Sequence, residues 1–291
     1  MLDSRNNYSK IIQWIATFAV CTITTTACMF EEYNTQSIIG LCVVFLLLCA
    51  IGISYKTNAI QHLRPLILLG SLIYFGFIAG GCNCILFYFQ GFILFLMGNT
   101  TFWLSFSVIS SILVLTVIFG PIWCGWLCWL GALQEFIFQQ NKLNLLKTKK
   151  AQKLLIYVQT GAFVAIILWI ILAKRPVLCA YDPFISIFTL KIFNWIGYIT
   201  VPLLLLSSLF IYRPFCRILC PTGWLIYVIK FIPFAKKIQI ENCTGCKKCY
   251  SYCKMNAIHD KQVDKTCIMC GECKKAKCNS RSITHLSLHK S

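Results

Sequence analysis

The chain has 291 residues, of which 58% are hydrophobic and only 12% charged, which excludes an ordinary soluble domain and points to several membrane spans. Its net charge of +18, from 27 Lys and Arg against 9 Asp and Glu, reads as cytoplasmic loops of a membrane protein rather than a nucleic-acid surface. Nineteen cysteines, many in C-x-x-C series beside lysines, read as metal or cluster ligation in a reducing compartment rather than a secreted disulfide framework.

The first apolar run, 11–30, carries no charge and is followed by Glu31 and Glu32 rather than a small-residue cleavage site, so it reads as a span and not a signal peptide. Further spans are expected at 37–53, 65–81, 102–120, 154–172 and 195–212, each long enough for a tilted helix. Residues 84–98 are apolar but short, which suits a re-entrant or interfacial helix or an extension of the third span. Arg5, Lys10, Lys56, Arg64, Lys142, Lys147, Arg213, Arg217 and the basic tail fall on one side, and Lys174, Arg175 and Lys191 on the other. Six spans with both ends cytoplasmic satisfy that asymmetry.

An internal repeat punctuates the spans. Cys124-x3-Cys128-x2-Gly131 recurs 92 residues later as Cys216-x3-Cys220-x2-Gly223. If helical, each cysteine pair shares one helix face, and four thiols at equivalent depth could converge on a soft metal such as Cu(I) or on an iron–sulfur centre. The bland reading is cysteine as a small apolar residue in packed helices, which suits Cys21, Cys28, Cys42 and Cys49. Repetition argues for function at the two pairs. A lone cysteine expected on the outer side precedes each pair, Cys84 and Cys179, with Cys82 nearby. Glu135 is the sole acid between Glu32 and Asp182, and reads as an interfacial residue near Lys142 more readily than as part of a quinone or proton site.

From about residue 236 the apolar runs stop. The tail carries Cys243-x2-Cys246-x2-Cys249-x3-Cys253 and then Cys267-x2-Cys270-x2-Cys273-x4-Cys278. The first series has the bacterial ferredoxin spacing for [4Fe–4S] clusters, in which the fourth cysteine serves the other cluster. Cys243, Cys246 and Cys249 then pair with Cys278, and Cys267, Cys270 and Cys273 with Cys253. Zinc, which takes four ligands in two C-x2–4-C pairs, explains two such runs poorly. Positive charge around the tail suits an acidic redox partner or the anionic cytoplasmic leaflet. None of the four histidines lies in a span and no C-x-x-C-H occurs, which excludes a bis-histidine membrane haem and a c-type haem. There is no dinucleotide or phosphate-binding glycine loop.

On CGWLCWLGALQEF, CAYDPFISIF, RPFCRILCPTGWL and the two tail series, the chain resembles the NapH/NosR/CcoG-type membrane polyferredoxins over roughly residues 65–285. In that family the membrane motif is usually C-x3-C-P. Cys216, Cys220 and Pro221 keep it, whereas the first copy has Trp129 in place of proline. NosR-like members carry an outer flavin-binding domain and CcoG-like members a further extracytoplasmic domain, so the two-part layout looks closest to the NapH type. The resemblance implies electron transfer at the cytoplasmic membrane.

The expected fold class is therefore mostly α: a polytopic membrane helical bundle of about six spans with an internal repeat, carrying a small α+β two-cluster ferredoxin-like domain. It divides into an N-terminal helix pair (1–64), the repeated membrane helices (65–235) and a cytoplasmic 2[4Fe–4S] domain (236–291). The expected function is a membrane-bound electron relay between a quinol or cytoplasmic donor and a membrane or periplasmic reductase system. This makes the chain a component of an oxidoreductase chain rather than a self-contained enzyme. It would sit in the bacterial inner membrane, with iron–sulfur or cytochrome subunits as redox partners and no nucleic acid. The rival function is binding and reduction of copper by Cys124, Cys128, Cys216 and Cys220 for metal-centre assembly.

Overall fold

The structure is a computed structural model that describes residues 48, 50–51, 60–78, 84–139, 148–178, 181–190, 195–232, 248–259 and 262–275. The expected span 11–30, nearly all of 37–53, and Cys82, Cys179, Cys243, Cys246 and Cys278 lie outside the described residues.

Among the described residues the chain is mostly helical. Helix α1 (Ile60–Ser71) runs on as a π-helical segment, Leu72–Ile78. Helix α2 (Ile85–Leu96) starts at Cys84, whose extended backbone and thiol cap the first turn by accepting from Leu86 N at 3.4 Å. A short 3-10 turn, Thr100–Phe102, capped by Asn99, leads into α3 (Trp103–Phe119). Helices α2 and α3 lie antiparallel: Gly91 leaves room for the Ser105 side chain, and Phe92 stacks on Phe106 with ring centroids 5.6 Å apart. Cys84 is buried, 2% exposed. Residues 84–98 thus form a separate short helix and do not extend the third span.

A π-helical turn, Trp123–Leu127, joins α3 to α4 (Trp129–Ile137). Helix α5 (Lys149–Ala173) is capped by Thr148 and ends where Lys174 turns left-handed at φ 51°. After it come α6 (Pro183–Thr189), capped by Asp182, and α7 (Gly197–Phe210). Helix α7 stops short of the expected 212 because Arg213 adopts a left-handed backbone (φ 53°) and Pro214 opens the next helix, α8 (Pro214–Ile218). Helix α9 (Pro221–Ile229) follows, with proline at its first position, where a missing N–H costs nothing.

Two helices, Thr100–Phe119 and Lys150–Ala173, are long and apolar enough to cross a membrane; His62–Ile78, Ile85–Leu96 and Gly197–Phe210 are apolar but shorter. Helix α5 leaves Leu154, Leu168 and Leu172 exposed, at 63%, 54% and 82%. Such a run of bare leucine is unusual against water. Aromatic pairs pack the second copy of the repeat together: Phe163 on α5 stacks on Trp224 of α9 at 3.9 Å, and Phe184 on α6 meets Phe215 of α8 edge-on at 4.9 Å, while Phe89 of α2 reaches Phe163 across the two copies at 5.8 Å.

The tail contributes a small α+β unit. It comprises α10 (Lys248–Tyr252), an antiparallel pair β1 (Ile258–His259) and β2 (Gln262–Val263), and a 3-10 turn, Glu272–Lys275. Met255 and Ala257 of this unit bury against Tyr212, with Phe138, Cys253 and Ile268 around them.

Candidate functional site

The two cysteine pairs are built alike. Cys124 lies in the π-helical turn Trp123–Leu127 and Cys216 in α8, so the first thiol of each pair sits in a short helical turn. At the second cysteine the backbone becomes extended, with φ −67°, ψ 108° at Cys128 and φ −69°, ψ 112° at Cys220. Each of these residues caps the helix that follows. The expectation of one helix face per pair is therefore corrected: the helix breaks at the second cysteine, and its thiol is carried to the N-terminus of a new helix. Gly223 N donates to Cys220 Sγ at 3.4 Å. Trp129 starts α4 at the same register as Pro221 starts α9. It packs against Phe75 with centroids 4.9 Å apart in place of presetting φ.

Cys124, Cys128, Cys216 and Cys220 line one cavity of about 80 Å³. Two glutamines lock the pairs together. Gln134 on α4 accepts from Phe215 N at 3.0 Å and donates to Cys216 Sγ at 3.6 Å. Gln159 on α5 donates to the carbonyls of Cys216 and Cys220, 3.2 Å each. Arg213, Arg217 and Lys230 also reach the cavity wall and are buried at 1%, 8% and 6% exposure. Arg213 and Arg217, counted in the sequence among the charges of one side, are buried in the structure, and so is Arg64, at 4%.

Glu135 explains two of these arginines. Its carboxylate accepts from Arg64 at 2.7 and 2.8 Å and from Arg213 at 2.6 Å. Arg213 also donates to Cys124 O, and Arg64 donates to Gly125 O at 3.1 Å and to Glu272 at 3.2 Å. Burial alone would push the Glu135 carboxyl up; the Arg213 and Arg64 guanidiniums outweigh it and hold it at about 2. The interfacial position near Lys142 expected for Glu135 is corrected to this buried clamp. It joins α1, the first cysteine turn, α4, Arg213 and the tail.

The tail docks on the first cysteine turn. Trp126 Nε1 donates to Met269 O at 3.0 Å, with Trp126 fully buried. Gly125 is required here, since a Cβ would stand 2.4 Å from Ile268 O. Lys230 donates to the carbonyls of Lys265 and Cys267. The loop carrying Cys267 and Cys270 therefore lies directly on the turn carrying Cys124.

Within the tail, the thiols of Cys253, Cys267, Cys270 and Cys273 fall within electrostatic reach of one another, and Cys249 packs beside Cys253 and Cys273. Burial pushes the Cys253 thiol up to about 12, and the thiolates of Cys267 and Cys270 add to it. Among the described residues, no three Cys, His, Asp or Glu side chains stand close enough to hold a single metal ion. A spread of four thiols around a cavity suits a polynuclear centre, whose metal atoms occupy separate corners. The hydroxyls of Thr222 and Thr266 also line the cavity of Cys124, Cys128, Cys216 and Cys220, buried and without a partner among the described residues, as donors to an acceptor within it.

Sequence spacing did not reveal Arg64, Arg213, Gln134, Gln159, Trp126 or Lys230. The nearest available signals were the position of Arg217 inside Cys216-x3-Cys220 and of Gln134 beside Glu135.

A helical protein with two equivalent C-x3-C turns closing on one cavity, and a cysteine-rich tail docked on it, is the class that fold and site define. Known proteins agree with it. The 4Fe–4S binding domain family matches residues 100–150 and 193–238, one match around each cysteine pair. An uncharacterized protein of Methanocaldococcus jannaschii is 30% identical over 228 residues, covering 75% of this chain and 93% of that protein. The chain belongs to the family of that archaeal protein. A second uncharacterized protein of the same organism is 28% identical over 177 residues, covering 57% of this chain and 66% of its own length. YccM of Escherichia coli, named as an electron transport protein, is 27% identical over 179 residues, covering 57% of this chain and 50% of its own length. No solved structure matches the chain significantly.

Proposed function

We propose that this chain is a membrane-embedded iron–sulfur electron carrier. In it, Cys253, Cys267, Cys270 and Cys273 hold one [4Fe–4S] cluster, and Cys124, Cys128, Cys216 and Cys220 hold a further centre beside it. The other tail cluster falls to Cys243, Cys246, Cys249 and Cys278. The observation that carries this reading is the docking of the Cys267 loop on the Cys124 turn, through Trp126, Gly125 and Lys230. It sets two groups of four thiols in adjacent layers.

When bound, an iron–sulfur cluster takes up and gives back one electron at a time. The chain's own residues hold, insulate and orient the two sites. Trp123, Trp126 and Trp129 wall the first cysteine turn from solvent. Gln134 and Gln159 fix the thiol-bearing backbone, and Thr222 and Thr266 offer hydroxyl donors to the cavity. The family match around both membrane pairs and the printed name of YccM support an iron–sulfur and electron-transport role. The apolar exposed face of α5 supports a membrane setting, with the tail on the cytoplasmic side by the charge asymmetry. A quinol or cytoplasmic donor and a membrane or periplasmic reductase system are the partners this layout fits, in the manner of the NapH-type resemblance. Copper at the membrane pairs is the second reading, carried by the soft four-thiol set.

Anaerobic purification followed by iron, sulfide and copper analysis tests the proposal. About four irons per cluster, no copper, and loss of one cluster's iron when Cys124, Cys128, Cys216 and Cys220 are all replaced by Ser are the expected results. Copper that disappears in that variant would favour metal-centre assembly, and zinc in place of iron would overturn all three cluster assignments.

A further inference from the structure

Two cations on the cavity wall, Arg217 and Lys230, stand apart from the Glu135 clamp. Among the described residues neither meets a carboxylate. Arg217 Nη2 donates to the neutral Gln152 Oε1 at 2.6 Å, and among the described residues Lys230 donates only to the carbonyls of Lys265 and Cys267. A buried, unpaired cation is costly unless something anionic belongs beside it. Both lie between the two groups of thiols. Each lines the membrane-pair cavity; Arg217 is also within electrostatic reach of Cys253, and Lys230 of Cys267 and Cys124.

The repeat shows that this charge is not generic to the fold. The residue 92 positions before Arg217 is Gly125, and the one before Lys230 is Phe138. Gly125 receives the tail loop, and Phe138 packs edge-on against Tyr212 with centroids 5.3 Å apart. The first copy of the repeat thus supplies a docking surface, while the second supplies charge at the matching positions.

We propose that Arg217 and Lys230 form a cationic seam between the two cluster sites. It supplies the counter-charge for an anionic tetrathiolate centre on each side and makes both easier to reduce. The proposal rests on the electron-carrier reading above. Its physical basis is simple. Four thiolates around a cluster leave net negative charge, and two such centres in adjacent buried layers repel each other at low dielectric. A fixed positive charge between them offsets that repulsion and favours the more negative, reduced state of each.

The test is a redox titration, followed by electron paramagnetic resonance, of the anaerobically purified full-length protein and its variants. Lys230→Gln and Arg217→Gln should each shift the Cys253/Cys267/Cys270/Cys273 cluster to a more negative midpoint potential, and Lys230→Gln should shift the membrane-pair centre too. Lys230→Arg should restore most of the shift. Gln152→Glu keeps both cations and places a carboxylate 2.6 Å from Arg217. It should reproduce the Arg217→Gln shift even if the latter fails to load iron. Unchanged potentials in Gln152→Glu and Lys230→Gln at full iron content would overturn the seam. Should the membrane pairs hold no iron, the carrier reading fails at that site alone. The seam is then decided by the tail cluster, whose negative shift is still expected.

Discussion

Glu135 closes three segments with one carboxylate. Removing its charge leaves Arg64 and Arg213 buried without a counter-ion, a class of change that costs about 3–5 kcal/mol. Glu135→Gln should therefore lower the thermal unfolding temperature in detergent sharply, whereas Lys153→Gln, at an exposed site, should not. The pH dependence follows from the same group. Its folded carboxyl is held at about 2, below the ordinary 4.5, so its contribution is complete above 4.5 and is lost as pH falls toward 2. Unfolding measured across that window should show an acid limb in the native protein that is absent from Glu135→Gln. The clamp was not legible in the sequence, because its members stand 71 and 78 residues apart and a single acid in an apolar stretch looks interfacial. Lone arginines at span ends likewise look like topology signals, since only packing distinguishes a loop cation from a buried one.

At the scale of the elements, the break at the second cysteine organises the site. Cys128 and Cys220 take nearly the same extended conformation although only one is followed by proline. The 92-residue repeat therefore held in three dimensions without its most recognisable residue. The repeat could be read from spacing because spacing is covalent. The shared face that a helix would have given each pair is replaced by a break, because a cap positions the second cysteine. Gly125 is the sharpest element-level probe. Gly125→Ala places a methyl group 2.4 Å from a backbone carbonyl that cannot rotate away, so the tail loop must shift. We expect faster protease cleavage of the tail and a loss of about 1–3 kcal/mol in stability. Gly161→Ala, where a Cβ meets nothing, should leave both unchanged. Trp126→Phe, which loses the bond to Met269, should cost about 1 kcal/mol.

At the scale of the whole molecule, two layers of thiols meet across a junction that no local motif announced. The cysteine series of the tail and the two C-x3-C pairs were each visible in sequence; their contact was not, because it depends on a glycine, a tryptophan and a lysine that carry no spacing signature. The exposed leucines of α5 predict that the protein stays with membranes after washing with high salt and alkali and is released by detergent. Recovery in the wash would contradict a membrane-embedded carrier. The central claim is that the docked tail cluster and the membrane cysteine pairs form adjacent redox centres. The most direct measurement is electron paramagnetic resonance of the fully reduced protein, comparing wild type with the variant in which Cys124, Cys128, Cys216 and Cys220 are Ser. Spectral broadening from magnetically interacting centres is expected in the wild type, and its partial collapse, with one cluster's iron lost, in the variant. Identical spectra and identical iron content in the two proteins would contradict it.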